Sequence, residues 1–155
     1  MLKANLAGGK ALGTLHLGYE MAEPWPLTVR QSDAPPSGAG FEDVTEYYRV
    51  KKMTFVHRGD RSAVRYNPHI MIEGIPERAW GYIVNGKSAL EWVMERYRDQ
   101  TDRNSQLHND PNAWGREQLN PRYILDLFRR VVRVSMEILD IVEKLPELEI
   151  GTATL

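Results

Sequence analysis

The chain has no cysteine, and that absence removes disulfides, thiolate metal sites, cysteine nucleophiles and thiol redox chemistry together. It also fits a reducing compartment, so the expected location is the cytoplasm. Glycines and charges interrupt every hydrophobic stretch, including the N-terminal MLKANLAGGKALGTLHLGYE, and none approaches the length of a membrane span. No membrane partner is expected. Catalytic signatures are missing as well. There is no G-x-S-x-G elbow, and no lysine stands two positions after an acidic residue, the arrangement in which carboxylates hold a metal beside a scissile phosphate. Asn67-Pro68 and Asn120-Pro121 are followed by histidine and arginine, not by the proline and aromatic residue that amino-methyltransferases use. His16, His57, His69 and His108 are scattered without metal-ligand spacing. No pair of carboxylates announces acid-base work. The expectation is a chain with no catalytic residue, no metal and no cofactor of its own.

What is present is ordinary globular material: 155 residues, 42% hydrophobic and 26% charged, enough to bury a core as a single domain over residues 1–155. The formal net charge of -1 hides an asymmetry. Residues 44–66 carry six cations (Arg49, Lys51, Lys52, Arg58, Arg61 and Arg65) against Glu46 and Asp60, whereas every other part of the chain is mildly acidic. A local basic block of this kind is what an anionic partner meets, whatever the average charge.

The pattern predicts an α+β fold, a small antiparallel sheet flanked by helices. Leu6, Leu12, Leu15, Leu17 and Tyr19 are spaced as on a helix over 3–20. Proline, glycine and serine then mark a loop at 24–43. Residues 47–56, YYRVKKMTFV, read as a strand whose parity changes at Lys51-Lys52, so a bulge is expected. HRGDR supplies a turn, and AVRY and HIMIEG around Asn67-Pro68 supply further short strands. A helix is predicted over 76–84, stopped by Asn85-Gly86, and a second one capped by Ser88. Residues 98–120 read as a long polar connection pinned by Trp114. The clearest element is a helix over 121–144, the spine of the fold, with Ile124, Leu127, Phe128, Val131, Val134, Ile138, Ile141 and Leu145 on one stripe.

Two segments invite a functional reading. Gly81, Gly86, Lys87 and Ser88 satisfy the G-x-x-x-x-G-K-[ST] pattern of a phosphate-binding loop. The mechanism needs a buried strand feeding the first glycine and small residues inside the loop. Here GIPERAW precedes it and Tyr-Ile-Val fills it, so the match reads as a helix-glycine-helix junction. An autonomous nucleotide-dependent enzyme would rest on those residues alone. The basic block is different, because it interleaves cations with Tyr47, Tyr48, Phe55 and Tyr66 and suits nucleic-acid phosphates. Arg129, Arg130 and Arg133 on the long helix read as ordinary surface ion pairing.

The order TLHLGYE, WPLTV, YYRVKKMTFV, YNPHIMIEGIPERAWGYIVNGKSALEWVMERY, TDRNSQLHNDPNAW and PRYILDLFRRVVRVSMEILDIVEKLP resembles the C-terminal specificity domain, or target-recognition domain, of type ISP restriction-modification enzymes and their helicase-like relatives. The resemblance runs from about Ala7 to Pro146, and its most specific stretches are IEGIPERAWGYIVNGKSALEWVMERY and the NDPNAW loop. It implies a C-terminal piece of a larger polypeptide whose nuclease, ATP-driven helicase motor and adenine methyltransferase lie upstream. On that reading the chain recognises double-stranded DNA and has the upstream helicase and methyltransferase domains as neighbours. The resemblance assigns no base-reading residue, so Arg49, Lys51, Lys52, Arg58, Arg61 and Arg65 stand as the expected DNA face. The alternative is a non-catalytic scaffold that docks those domains to one another.

Overall fold

The computed structural model describes residues 22–35 and 37–145, so the helix expected over 3–20 lies outside the described residues. Four strands form an antiparallel sheet: β1 (Thr28–Gln31), β2 (Thr54–His57), β3 (Asp60–Arg65) and β4 (Ile70–Glu73), in the spatial order β1-β4-β3-β2. β2 and β3 are joined through Gly59, whose φ of 82° suits a residue without a Cβ. Alternation sorts the faces. Val64, Tyr66, Ile70 and Ile72 are buried on the inner side, while Arg30, Met71, Arg65 and Thr54 form one cross-strand row on the outer side.

Helix α1 (Phe41–Tyr47) precedes β2, a 3₁₀ helix spans Glu77–Gly81, and α2 (Ala89–Arg96), α3 (Asn112–Glu117) and the 22-residue α4 (Tyr123–Lys144) complete the helices. α4 packs against the 3₁₀ helix, α2 and α3. Its buried face from Ile124 through Phe128 and Val131 to Ile138 joins the same core cluster as the inner face of the sheet. The α+β architecture and the long C-terminal spine are therefore as expected. Ile141 and Leu145 are exceptions to the stripe, since both lie exposed at the end of α4. Among the described residues, no helix is long and apolar enough to cross a membrane.

Several elements differ from the sequence expectation. The 47–56 strand is shorter and later. Tyr47 ends a helix, Val50 and Met53 are buried in the link, and only Thr54–His57 pairs with β3. The parity change at Lys51-Lys52 thus marks a helix-to-strand link, and the register irregularity falls between Phe55 and His57. The proline-rich stretch contributes edge strand β1, where its four residues pair with β4. The predicted 76–84 helix is the short 3₁₀ helix followed by a two-stranded hairpin, β5 (Ile83–Val84) and β6 (Lys87–Ser88). Asn85 and Gly86 have φ of 50° and 85°, so their dipeptide closes a hairpin and does not end a helix. The polar connection contains another ribbon, β7 (Gln100–Thr101) and β8 (His108–Asn109), before α3.

Candidate nucleic-acid interface

The six cations of the basic block do not act alike. Arg49 follows α1 and is held among carboxylates, with its guanidinium 3.1 Å from Asp99, 3.5 Å from Glu46 and 3.7 Å from Asp110. The hydrogen bond it donates to Asp99 holds its pKa above the ordinary arginine value. Arg61 lies over Trp80 and Phe55, 5.6 and 5.9 Å from the ring centroids, and pairs with Glu91 at 3.3 Å. Lys51, Lys52, Arg58 and Arg65 are exposed, and none has an ion-pair partner among the described residues. Two of the six cations are thus engaged within the fold, and four are free to meet an outside anion.

Three of the free cations share one end of the sheet. The Lys51 carbonyl accepts the Asp99 amide at 2.7 Å, Lys52 lines a shallow groove of mixed charge with Lys87, Arg98, Glu91 and Glu95, and Arg65 is the cross-strand partner of Thr54. Arg58 occupies the β2–β3 turn at the far end of the four-residue strand, about 13 Å away.

The same end carries the root of the β7–β8 ribbon, tied down by contacts with little sequence signature. Asp99 pairs with both Arg49 and His108. Asn112 accepts the Val50 amide and donates to the Val50 carbonyl, each at 2.9 Å, and also donates to Asp110 at 2.8 Å. The hydrogen bonds from His108 and then Arg49 hold the Asp99 carboxyl below its ordinary range. A lowered native value means that this stabilisation is complete above the ordinary carboxylate pKa and is lost as the pH falls through the native one. Asp99→Asn is therefore expected to destabilise the fold at neutral pH, with a penalty that shrinks toward zero in strong acid. Urea titrations across acidic pH check this, and a pH-independent penalty would assign the cost to packing instead.

Ser88 caps α2 as expected: its hydroxyl accepts the Glu91 amide at 3.1 Å while the Glu91 carboxylate accepts the Ser88 amide. Lys87 pairs with Glu95 and lies 5.1 Å from the Trp92 ring centroid. The 81–88 segment thus spends its lysine and serine on holding α2. Arg129 and Arg133 pair with Asp126 and Glu137 and also donate to the Trp25 and Glu23 carbonyls. They staple the segment leading into β1 onto α4. Trp114 is less anchored than expected, exposed with an edge contact to Tyr123. Among the described residues, no group of three or more His, Asp or Glu side chains could hold a metal ion.

This fold has relatives. The family model described as Type ISP C-terminal specificity domain matches residues 3–127. The chain belongs to that family. As a Type ISP specificity domain it is similar to three solved structures, each aligned over 90% of the present chain. A nuclease-deletion mutant of the Type ISP restriction-modification enzyme LlaGI, in complex with a DNA substrate mimic, is 39% identical with a TM-score of 0.71. The ATP-dependent Type ISP enzyme LlaBIII bound to DNA is 37% identical, also at 0.71. A DrdV–DNA complex solved by cryo-electron microscopy is 31% identical at 0.58. The specificity domain spans only 12%, 8% and 14% of those three chains. No curated protein sequence matches.

Proposed function

We propose that this chain is the double-stranded DNA target-recognition module of a larger ATP-dependent restriction-modification enzyme acting in the cytoplasm. The nuclease, helicase motor and methyltransferase of that enzyme would lie upstream in the same polypeptide, and the module itself contributes no catalytic residue. The observation that supports this most strongly is that three relatives, 31–39% identical over 90% of the chain, were all solved in complex with DNA or a DNA substrate mimic. Lys51, Lys52, Arg58 and Arg65 are the proposed phosphate contacts, because they are exposed cations with no ion-pair partner among the described residues. Arg49 and Arg61 serve the interface indirectly, by fixing the ribbon root and the Phe55–Trp80 pair.

Phosphate contacts release counterions, so binding weakens with salt and each contact contributes about 0.9 to the slope of log affinity against log salt concentration. Changing Lys51, Lys52, Arg58 and Arg65 together to glutamine is expected to reduce that slope by about 3 to 4. All four are exposed, so the melting temperature should hold. Fluorescence anisotropy with a labelled duplex at several salt concentrations measures both quantities. Unchanged affinity and slope in a folded variant would favour the docking-scaffold reading.

A further inference from the structure

We infer that the β7–β8 ribbon, Gln100–Asn109, enters the DNA major groove and reads base edges. This rests on the DNA-recognition reading above and deepens it by naming the specificity element. Every residue from Gln100 through Asn109 is exposed, yet the ribbon is hydrogen-bonded from root to tip. The Gln100–Asn109 and Thr101–His108 pairs are extended by the Asp102 amide, which donates to the Leu107 carbonyl at 2.9 Å. The tip closes where the Gln106 amide donates to the Asp102 carbonyl at 2.8 Å and the Asn104 amide donates to the Asp102 carboxylate at 2.8 Å.

An isolated two-stranded hairpin this short is not stable in water by itself. The fold holds this one with the Arg49–Asp99–His108 cluster, the Asp99–Lys51 backbone bond and the two bonds exchanged between Asn112 and Val50. Those contacts present a projection that buries nothing of its own.

Size and chemistry both match a groove. Three residue pairs rise about 10 Å, comparable with the major-groove depth of about 8.5 Å, and a two-stranded ribbon fits its width of about 12 Å. The side chains left free are those that distinguish bases. Arg103 has no ion pair among the described residues and suits guanine O6 and N7; Asn104 and Gln106 suit adenine N6 and N7. Leu107, 71% exposed, offers an apolar surface for a thymine methyl. The Asp102 carboxylate accepts the Asn104 and Ser105 amides of its own turn and so shapes the tip. At the root, Lys51, Lys52 and Arg98 lie where the flanking phosphates of a straddled groove would pass. Backbone contacts position a protein and base contacts specify the sequence, and the structure places those two chemistries side by side.

The test is selection from a randomised duplex library by the complete polypeptide that carries this domain, comparing the parent with Arg103→Ala, Gln106→Ala and Lys51→Gln. In Arg103→Ala the preference for guanine at one position should fall about 5- to 150-fold while the other positions keep theirs. Gln106→Ala should relax an adenine in the same way, and Lys51→Gln should weaken all sequences alike. Circular dichroism should be unchanged in each variant, since the altered side chains are exposed. If the parent selects a motif that the Arg103 and Gln106 variants keep intact, the ribbon inference is overturned and DNA recognition stands. Uniform weakening in Arg103→Ala with a salt slope reduced by about 0.9 would also overturn it, by making Arg103 a phosphate contact. A parent that selects no sequence at all would remove the reading on which the inference rests.

Discussion

Phe128→Ala is expected to cost about 3–5 kcal/mol of folding stability and, for a chain of this length, to lower the melting temperature by roughly 10 °C. Phe128 has no exposed surface and sits midway along the buried face of α4, between Ile124 and Leu125 on one side and Val131 and Val132 on the other. That face is in the single cluster that also takes in Val64 and Ile72 of the sheet, Trp80 of the 3₁₀ helix and Leu90 of α2. Removing the ring therefore opens a cavity where several elements converge, and close-packed neighbours collapse into such a space only in part. Arg130→Ala is the comparison. Its Nε is buried without a hydrogen-bond partner, so truncation breaks no bond at that atom and should stay within about 1 kcal/mol of the parent. Urea denaturation of both variants measures the difference. Equal midpoints would mean that α4 does not carry the core.

The features legible in the sequence are those fixed by neighbours a few residues apart. The apolar stripe of α4 repeats with helical period over six turns, Ser88 and Glu91 stand at capping-box spacing, and Asn67-Pro68 punctuates the strands on either side. Expectation failed where distant contacts decide. Residues Tyr47 to Val50 have strand-forming composition, but the Tyr47 hydroxyl donates to the Asp33 carbonyl and the Tyr48 carbonyl accepts the Tyr66 hydroxyl. Those bonds favour a short helix and a buried link over an extended strand. The β1 strand has four residues and borrows its ladder from β4, which is too short for alternation to register.

The candidate interface was half legible for the same reason. Charge density located the basic block, yet counting charges cannot tell that Arg49 meets Asp99 and Asp110 fifty and sixty-one residues later, or that Arg61 meets Glu91. Nor does a polar run such as TDRNSQLHN reveal that it is a braced ribbon, because the bracing comes from Arg49 and Val50. The Asx turn at Asp102 and the paired Asp110 and Asn112 were the signals available.

Asn67→Ala is expected to cost about 3–5 kcal/mol, a core-sized penalty from a side chain with no hydrophobic surface to lose. Asn67 is 5% exposed and uses its full bonding capacity. Its amide nitrogen donates to the Tyr47 carbonyl at 2.9 Å and the Arg49 carbonyl at 3.1 Å, and its oxygen accepts the His69 and Ile70 amides at 2.8 Å each. One residue thus clamps the turn between β3 and β4 to the end of α1. Alanine would take the side-chain partner from four backbone groups, of which the Ile70 amide keeps a 3.4 Å bond to the Asn67 carbonyl, and each one left buried and unpaired costs about 1–3 kcal/mol. Some will find water at the rim, which is why the expected total lies below the sum. Asn67→Asp separates the two halves of the clamp. It keeps an acceptor for His69 and Ile70 but sets a carboxylate against two carbonyls, so at neutral pH it should recover little of the loss. The consequence reaches the interface, because Arg49 and Val50, which follow directly on the clamped helix end, brace the ribbon root. A destabilised Asn67→Ala protein, assayed below its melting temperature, should therefore also discriminate less among DNA sequences. A loss under about 1 kcal/mol in urea titration would show that water replaces the amide and that the turn holds α1 by packing alone.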